Sequence, residues 1–247
     1  MRWLNRDPME EEGGVHLYKY CNNIAINQID INGLSAYVLI YDSTDPMFKQ
    51  WSDSVESRIV VGKQSYYGLK LKSFDSAKDT VVRIPVTSKH SLSRLKQIKD
   101  IVYIGSFGHG KEGKFWWGSG TGSSKQYHTV GFSNVRYNSP NVIDKVSLSI
   151  FNLDYNTCGF VIELYHCRTG EKYAVTSDNE LMFDDTSAQP RLDTNGGQSV
   201  ASLLKIYLKE VVTGVPFKIG SSEKPVNNGW PLNRGYPRPT GKIIIEE

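Results

Sequence analysis

VIELYHCRTG, residues 161–170, is the stretch whose reading decides the fold. A mostly apolar run leads into Tyr165-His166-Cys167 and then into the turn Arg168-Thr169-Gly170. A short apolar run closed by a Gly-containing turn marks a strand buried on both faces, as in a parallel sheet covered on each side. Such sheets carry their functional groups just past the carboxyl ends of the strands, and Cys167 falls there. Residues 101–110 have the same form: Ile101-Val102-Tyr103-Ile104 runs into Gly105-Ser106-Phe107-Gly108-His109-Gly110. Two strand ends thus present a histidine between glycines and a cysteine before a turn.

Working outward, residues 198–212 form the clearest helix, with Val200, Leu203, Leu204, Tyr207, Leu208 and Val211 on one stripe. Gly214 ends it and a strand follows over 215–219. Upstream, residues 36–42 (AYVLIYD) read as the first strand. Asp45-Pro46 opens a helix through about Arg58, with Phe48, Trp51 and Val55 on one face. Residues 66–71 and 80–84 are further strand candidates, and 91–98 a short helix. The alternation predicts an α/β domain with a parallel or mostly parallel sheet.

Residues 111–141 are rich in Gly, Ser and aromatics and predict a hairpin or long loop beside His109. Trp116 and Trp117 there either wall a substrate cleft or pair in the core. Residues 145–152 read as an amphipathic strand or a short helix. Residues 171–197 are a second polar excursion. Its Asp184, Asp185 and Asp193 suit a solvated acidic loop better than a metal or a basic substrate side chain. Residues 221–247, with Pro225, Pro231, Pro237 and Pro239, read as an extended tail with a strand at 242–245.

At 247 residues the chain suits one full domain with a small appendage, and a formal charge of +3 does not by itself indicate a nucleic-acid surface. No apolar run approaches the ~18 residues of a spanning helix, so membrane insertion by this segment is not expected. Residues 1–14 are charged where a signal peptide would be apolar. Cys21, Cys158 and Cys167 form neither a disulfide framework nor a zinc pattern, which suits a reducing site of action. No metal or other cofactor is implied.

A cysteine attacks as its thiolate and needs a nearby base or positive charge. His109 and Cys167 lie 58 residues apart (167 − 109), room for a crossover between adjacent parallel strands. His166, next to Cys167, points to the opposite face of a strand and is a poor partner. Cys158 precedes a glycine at a turn and reads as structural. The histidine after an apolar strand as His-Gly, and the cysteine ending the next in an apolar-x-Cys-x-Gly context, resemble the caspase-like (clan CD) cysteine peptidases over residues 101–220. The resemblance implies a three-layer α/β/α sandwich, His109 as general base or acid, and Cys167 as nucleophile. The backbone amides of Gly110 and Cys167 would be the oxyanion donors. Its substrate would be a protein.

Residues 1–34 differ in character. RDP, EEGG, LYKYCNN and finally DINGL resemble the last repeat of an RHS repeat-associated core, with Ile31 where that family usually has Pro. The resemblance implies a β remnant of the Rhs shell over 1–34, then the toxin domain over 35–220 and the tail over 221–247. It also implies self-cleavage between Leu34 and Ser35 through Asp7 and Asp30. Paired carboxylates sharing a proton can activate water; as plain turn formers both aspartates are equally at home. The expected protein is a polymorphic toxin or effector. It would be secreted by a specialised system, act in the target-cell cytoplasm and be held in check by a cognate immunity protein.

Two alternatives come from other classes. Glu112-Gly113-Lys114 with Asp100 upstream matches the E-x-K pattern of metal-dependent nucleases, although Glu112 and Lys114 fall in a Gly-rich turn. A non-catalytic caspase-like module binding a partner through residues 115–117 is the other.

Overall fold

Seven consecutive buried residues form the first strand, β1 (Ala36–Asp42). Such a run is possible only where both faces of a sheet are covered. The computed structural model describes residues 35–88, 90–120, 125–132, 144–145, 148–177, 180–184, 189–228 and 235–247. Asp7, Asp30 and Leu34, and with them the shell remnant, lie outside the described residues, as does Asp185.

Helix α1 (Pro46–Val60) starts where Asp45 accepts the Met47 amide at 2.9 Å, and it buries Phe48, Trp51, Val55 and Ile59 on one stripe. Next come β2 (Thr80–Val86), a 3-10 turn at Leu92–Gln97, and β3 (Ile101–Phe107), again buried throughout. Short strands β4 (His109–Lys111), β5 (Lys114–Ser119), β6 (Gln126–Gly131) and β7 (Asp144–Lys145) make a second sheet. A 3-10 turn at Leu148–Phe151 and β8 (Phe160–Tyr165) follow. Helix α2 (Val200–Val211) is capped by Ser199, whose side chain accepts the Ser202 amide at 3.0 Å. The chain closes with β9 (Phe217–Ser222), β10 (Asn227–Asn228), β11 (Pro237–Arg238) and β12 (Ile243–Glu246).

The main sheet has the order β12-β9-β8-β3-β1-β2. Its four pairings from β9 to β2 are parallel, and β12 adds to β9 antiparallel. The protein is therefore a mixed α/β domain on a mostly parallel six-stranded sheet. One face carries α1 over Tyr37, Leu39, Tyr103, Phe107 and Tyr165. The other carries α2 and the hairpin side chains Phe115 and Trp117 over Val38, Ile40, Ile104, Ile162 and Leu164. Among the described residues no helix is long and apolar enough to cross a membrane.

Several elements differ from expectation. Residues 66–71 are not a strand: the Ser65 amide bonds to the Leu69 carbonyl, the Gly68 amide bonds to that of Ser65, and Gly68 turns at φ +78°. The turn lays Tyr67 and Leu69 on the sheet over Gly220, whose missing side chain leaves them room. Strand β2 continues through Pro85, which an edge strand tolerates. Residue 220 falls inside β9, and the tail's β12 is the sixth strand of the sheet. Of the 145–152 segment, Lys145 ends a two-residue strand and Leu148–Phe151 form a 3-10 turn, with residues 146 and 147 outside the described residues.

Candidate active site

Strands β3 and β8 are adjacent and parallel, and their last residues, Phe107 and Tyr165, are register partners. Those two rings stack at 4.9 Å on the α1 face. His109 and Cys167 each lie two residues further on. Because alternate residues share a face, both side chains leave the same edge of the sheet toward the α1 layer. The surroundings agree. The His109 ring meets Phe48 of α1 edge-on at 4.9 Å, with Trp116 of β5 parallel to it at 6.0 Å. The Cys167 sulfur lies near Tyr67 and Val226, both part of the α1-side cluster. Arg168, at φ +59°, turns the chain away directly after the cysteine.

Burial pushes the Cys167 thiol up, against the pull of the Val226 and Gly110 amides donating to sulfur and of the Arg168 charge. The resting group is thus a thiol that needs a base before it can attack. Among the described residues no hydrogen bond joins it to the His109 imidazole.

The glycines around His109 serve packing within the protein. A Cβ on Gly110 would sit 2.8 Å from the Cys167 amide nitrogen and closer still to its carbonyl oxygen, and one on Gly108 would sit 2.8 Å from Cε1 of His166. In the structure they let the histidine loop press onto the cysteine turn and the His166 ring.

His166 faces away, into the opposite layer, against Phe115 at 4.3 Å and Trp117 at 5.7 Å. Its Nε2 lies 2.7 Å from the Ser106 hydroxyl and its Nδ1 3.0 Å from the His109 carbonyl. Burial lowers its pKa to about 3, so the ring is neutral. Because a carbonyl only accepts, Nδ1 carries the proton and Ser106 donates to Nε2. Ser106 and His166 are fully enclosed, so this serine–histidine pair reaches no substrate.

Beneath the cysteine lies a buried acid that the sequence concealed inside an apolar run. Glu163 Oε2 accepts the hydroxyls of Tyr103 at 2.7 Å and Tyr165 at 2.6 Å. Burial raises its pKa, and those two donors oppose the rise. Tyr67 donates to the Leu164 carbonyl at 2.7 Å. Burial, Glu163 and Cys167 together hold its phenol well above the usual range.

The nuclease residues do not assemble. Glu112, in the turn between β4 and β5, accepts Arg168 Nη1 at 2.9 Å, and Lys114 is buried in β5. Asp100 precedes β3, at the other end of the sheet, and accepts Asn156 Nδ2 at 2.9 Å. A seven-residue strand separates the two ends by roughly 20 Å. Among the described residues no group of three or more His, Cys, Asp or Glu side chains is placed to hold a metal. Asp193 closes a turn by accepting the Asn195 and Gly196 amides, each at 3.0 Å. The two tryptophans divide the roles considered for them: Trp117 is core, while Trp116 is half-buried beside His109.

No protein-family model matches the chain, and searches of curated proteins and of solved structures find no match.

Proposed function

We propose that the domain is a caspase-like cysteine peptidase, with Cys167 as nucleophile and His109 as its acid–base partner. One observation carries the proposal: the two residues leave adjacent parallel strands at the same offset, on the same edge and the same face. In the reaction His109 takes the thiol proton, and the thiolate sulfur forms a bond to the substrate carbonyl carbon. The C=O π pair moves onto oxygen, facing the Gly110 and Cys167 amides. Collapse expels the amine, which receives the proton from His109. Water, deprotonated by His109, then hydrolyses the thioester and restores the thiol. The test is to incubate the protein with a complex protein mixture and sequence new N-termini by mass spectrometry. We expect a defined set of cuts that is absent with Cys167→Ala. No new termini with the wild type, in a preparation that is toxic to cells, would leave the partner-binding module as the reading.

The Rhs resemblance of residues 1–34 supports reading this peptidase as part of a polymorphic toxin, which would have a shell upstream, a protein substrate in the recipient cytoplasm and an immunity protein as inhibitor. Cleavage would leave Ser35 as the first residue. Its amide nitrogen already donates to Asp79 Oδ1 at 3.1 Å, so a carboxylate stands ready for the ammonium that cutting creates. With the shell restored upstream, the released N-terminus should be Ser35, and Asp30→Asn should block release. A terminus anywhere else rejects the assignment.

A further inference from the structure

The residue before the cysteine points away from the cleft yet grips the loop that carries the histidine. We propose that His166 is a positioning residue for the oxyanion donor, holding the His109–Gly110 peptide plane so that the Gly110 N–H faces Cys167. The inference rests on the peptidase reading and extends it to a group that touches no substrate.

The argument is one of peptide geometry. A trans peptide is planar, and its C=O and N–H point in opposite directions. The carbonyl of His109 and the amide of Gly110 belong to one such plane. His166 Nδ1–H holds that carbonyl at 3.0 Å from the α2 side of the sheet, so the Gly110 N–H must project to the α1 side. There it meets Cys167, against whose backbone Gly110 is packed too closely to admit a Cβ. The ring is itself fixed. Ser106 occupies Nε2 at 2.7 Å, Phe115 and Trp117 contact its face and edge, and Gly108 lies against Cε1. A bond to the carbonyl also polarises the amide and makes its N–H a better donor. Burial keeps the ring neutral, with its pKa down at about 3, so Ser106 stays the donor to Nε2 in mild acid. The plane also lies in the β4–β5 hairpin, where His109 pairs with Trp116, so the ring's part is to fix its tilt toward Cys167 and not to prevent a flip.

Two near-isosteric substitutions separate positioning from packing. In His166→Asn the side-chain amide occupies the place of Nδ1 and can still hold the His109 carbonyl. In His166→Gln it occupies the place of Nε2 and reaches Ser106 instead. Peptide turnover, and the pH dependence of Cys167 alkylation by iodoacetamide followed on the Cys167 peptide by mass spectrometry, are the readouts. We expect His166→Gln to lose about tenfold or more in kcat at nearly unchanged KM, a fraction of the 10²–10³ for a lost oxyanion donor. Its alkylation profile should move to higher pH by about one unit, because the thiolate loses the Gly110 amide. His166→Asn should restore both. Equal behaviour of the two variants, whatever its size, would overturn the proposal and leave His166 as packing. If the wild type proves to turn over no peptide, the alkylation profiles still decide whether the plane is held. If the variants do not fold, nitrogen NMR of the wild-type ring decides: Nδ1 must carry the proton, and an Nε2–H tautomer overturns the assignment.

Discussion

Replacing Cys167 by alanine is expected to lower proteolysis by at least about 10⁴-fold, since without the sulfur no thioester can form. His109→Ala should lower it by about 10²–10⁴-fold, the usual worth of a positioned acid–base group. Both proteins should remain folded. Each residue stands past a strand end and is only partly buried, so truncation removes a few contacts and costs about 1 kcal/mol. Cys158, exposed in a turn, is the control, and Cys158→Ala should keep wild-type turnover. Circular dichroism melting beside a peptide assay makes the comparison. A Cys167→Ala protein that keeps a tenth of the wild-type rate would end the peptidase reading.

Acid should destabilise the protein through a group that takes no part in catalysis as an acid. His166 is held neutral in the fold, with a pKa of about 3, against about 6.5 in the unfolded chain. Its neutral burial contributes fully above pH 6.5. That contribution is lost as pH falls from 6.5 toward 3, because the unfolded chain then binds a proton that the fold refuses. At ~1.4 kcal/mol per pH unit, the loss by pH 4 is about 3 kcal/mol. Glu163 acts in the opposite sense. Its raised pKa disfavours the fold once the carboxyl would be ionised when unfolded, so it returns stability as pH falls toward the ordinary carboxylate range. The wild-type profile is a sum of opposing slopes, and the informative quantity is a difference. Urea unfolding between pH 7.5 and 4 should show the wild type losing its margin over His166→Asn as acid is added. Parallel profiles for the two proteins would show that His166 is not the buried neutral group described.

The sheet was legible because β1, β3 and β8 are covered on both faces and therefore mostly apolar. Helix α1 was legible from its stripe and the Asp45 cap, and α2 from its stripe; the Ser199 cap emerged only in the structure. The shared face of His109 and Cys167 was harder to read. Ending the strands at Ile104 and Leu164 leaves the two residues five and three positions beyond, a spacing that sets no common offset. In the structure β3 continues to Phe107 and β8 to Tyr165, and each residue is two positions on. The misjudged boundary is Gly105-Ser106, which reads locally as a turn. It stays in the strand because a residue without a side chain is needed between Leu39 and Phe107, each 3.1 Å from where its Cβ would be. Residues 66–71 failed for a similar reason: their apolar side chains answer to Gly220, some 150 residues away, and not to a neighbouring strand. Glu163 was invisible because its partners, Tyr103 and Tyr165, look like ordinary strand aromatics until they are folded together.

The parallel sheet also governs when the two strand ends come together. Tyr103 pairs with Val161 across 58 residues (161 − 103), Ala36 with Thr80 across 44 (80 − 36), and Phe160 with Phe217 across 57 (217 − 160). None of these contacts can form by local zippering. Each requires closure of a long loop before any backbone bond rewards it, and such topologies fold slowly. Cys167 and His109 come to the same edge only through the β3–β8 pairing, so under the peptidase reading an unfolded or partly folded chain has a cysteine and a histidine but no dyad. On that reading competence is a late product of folding.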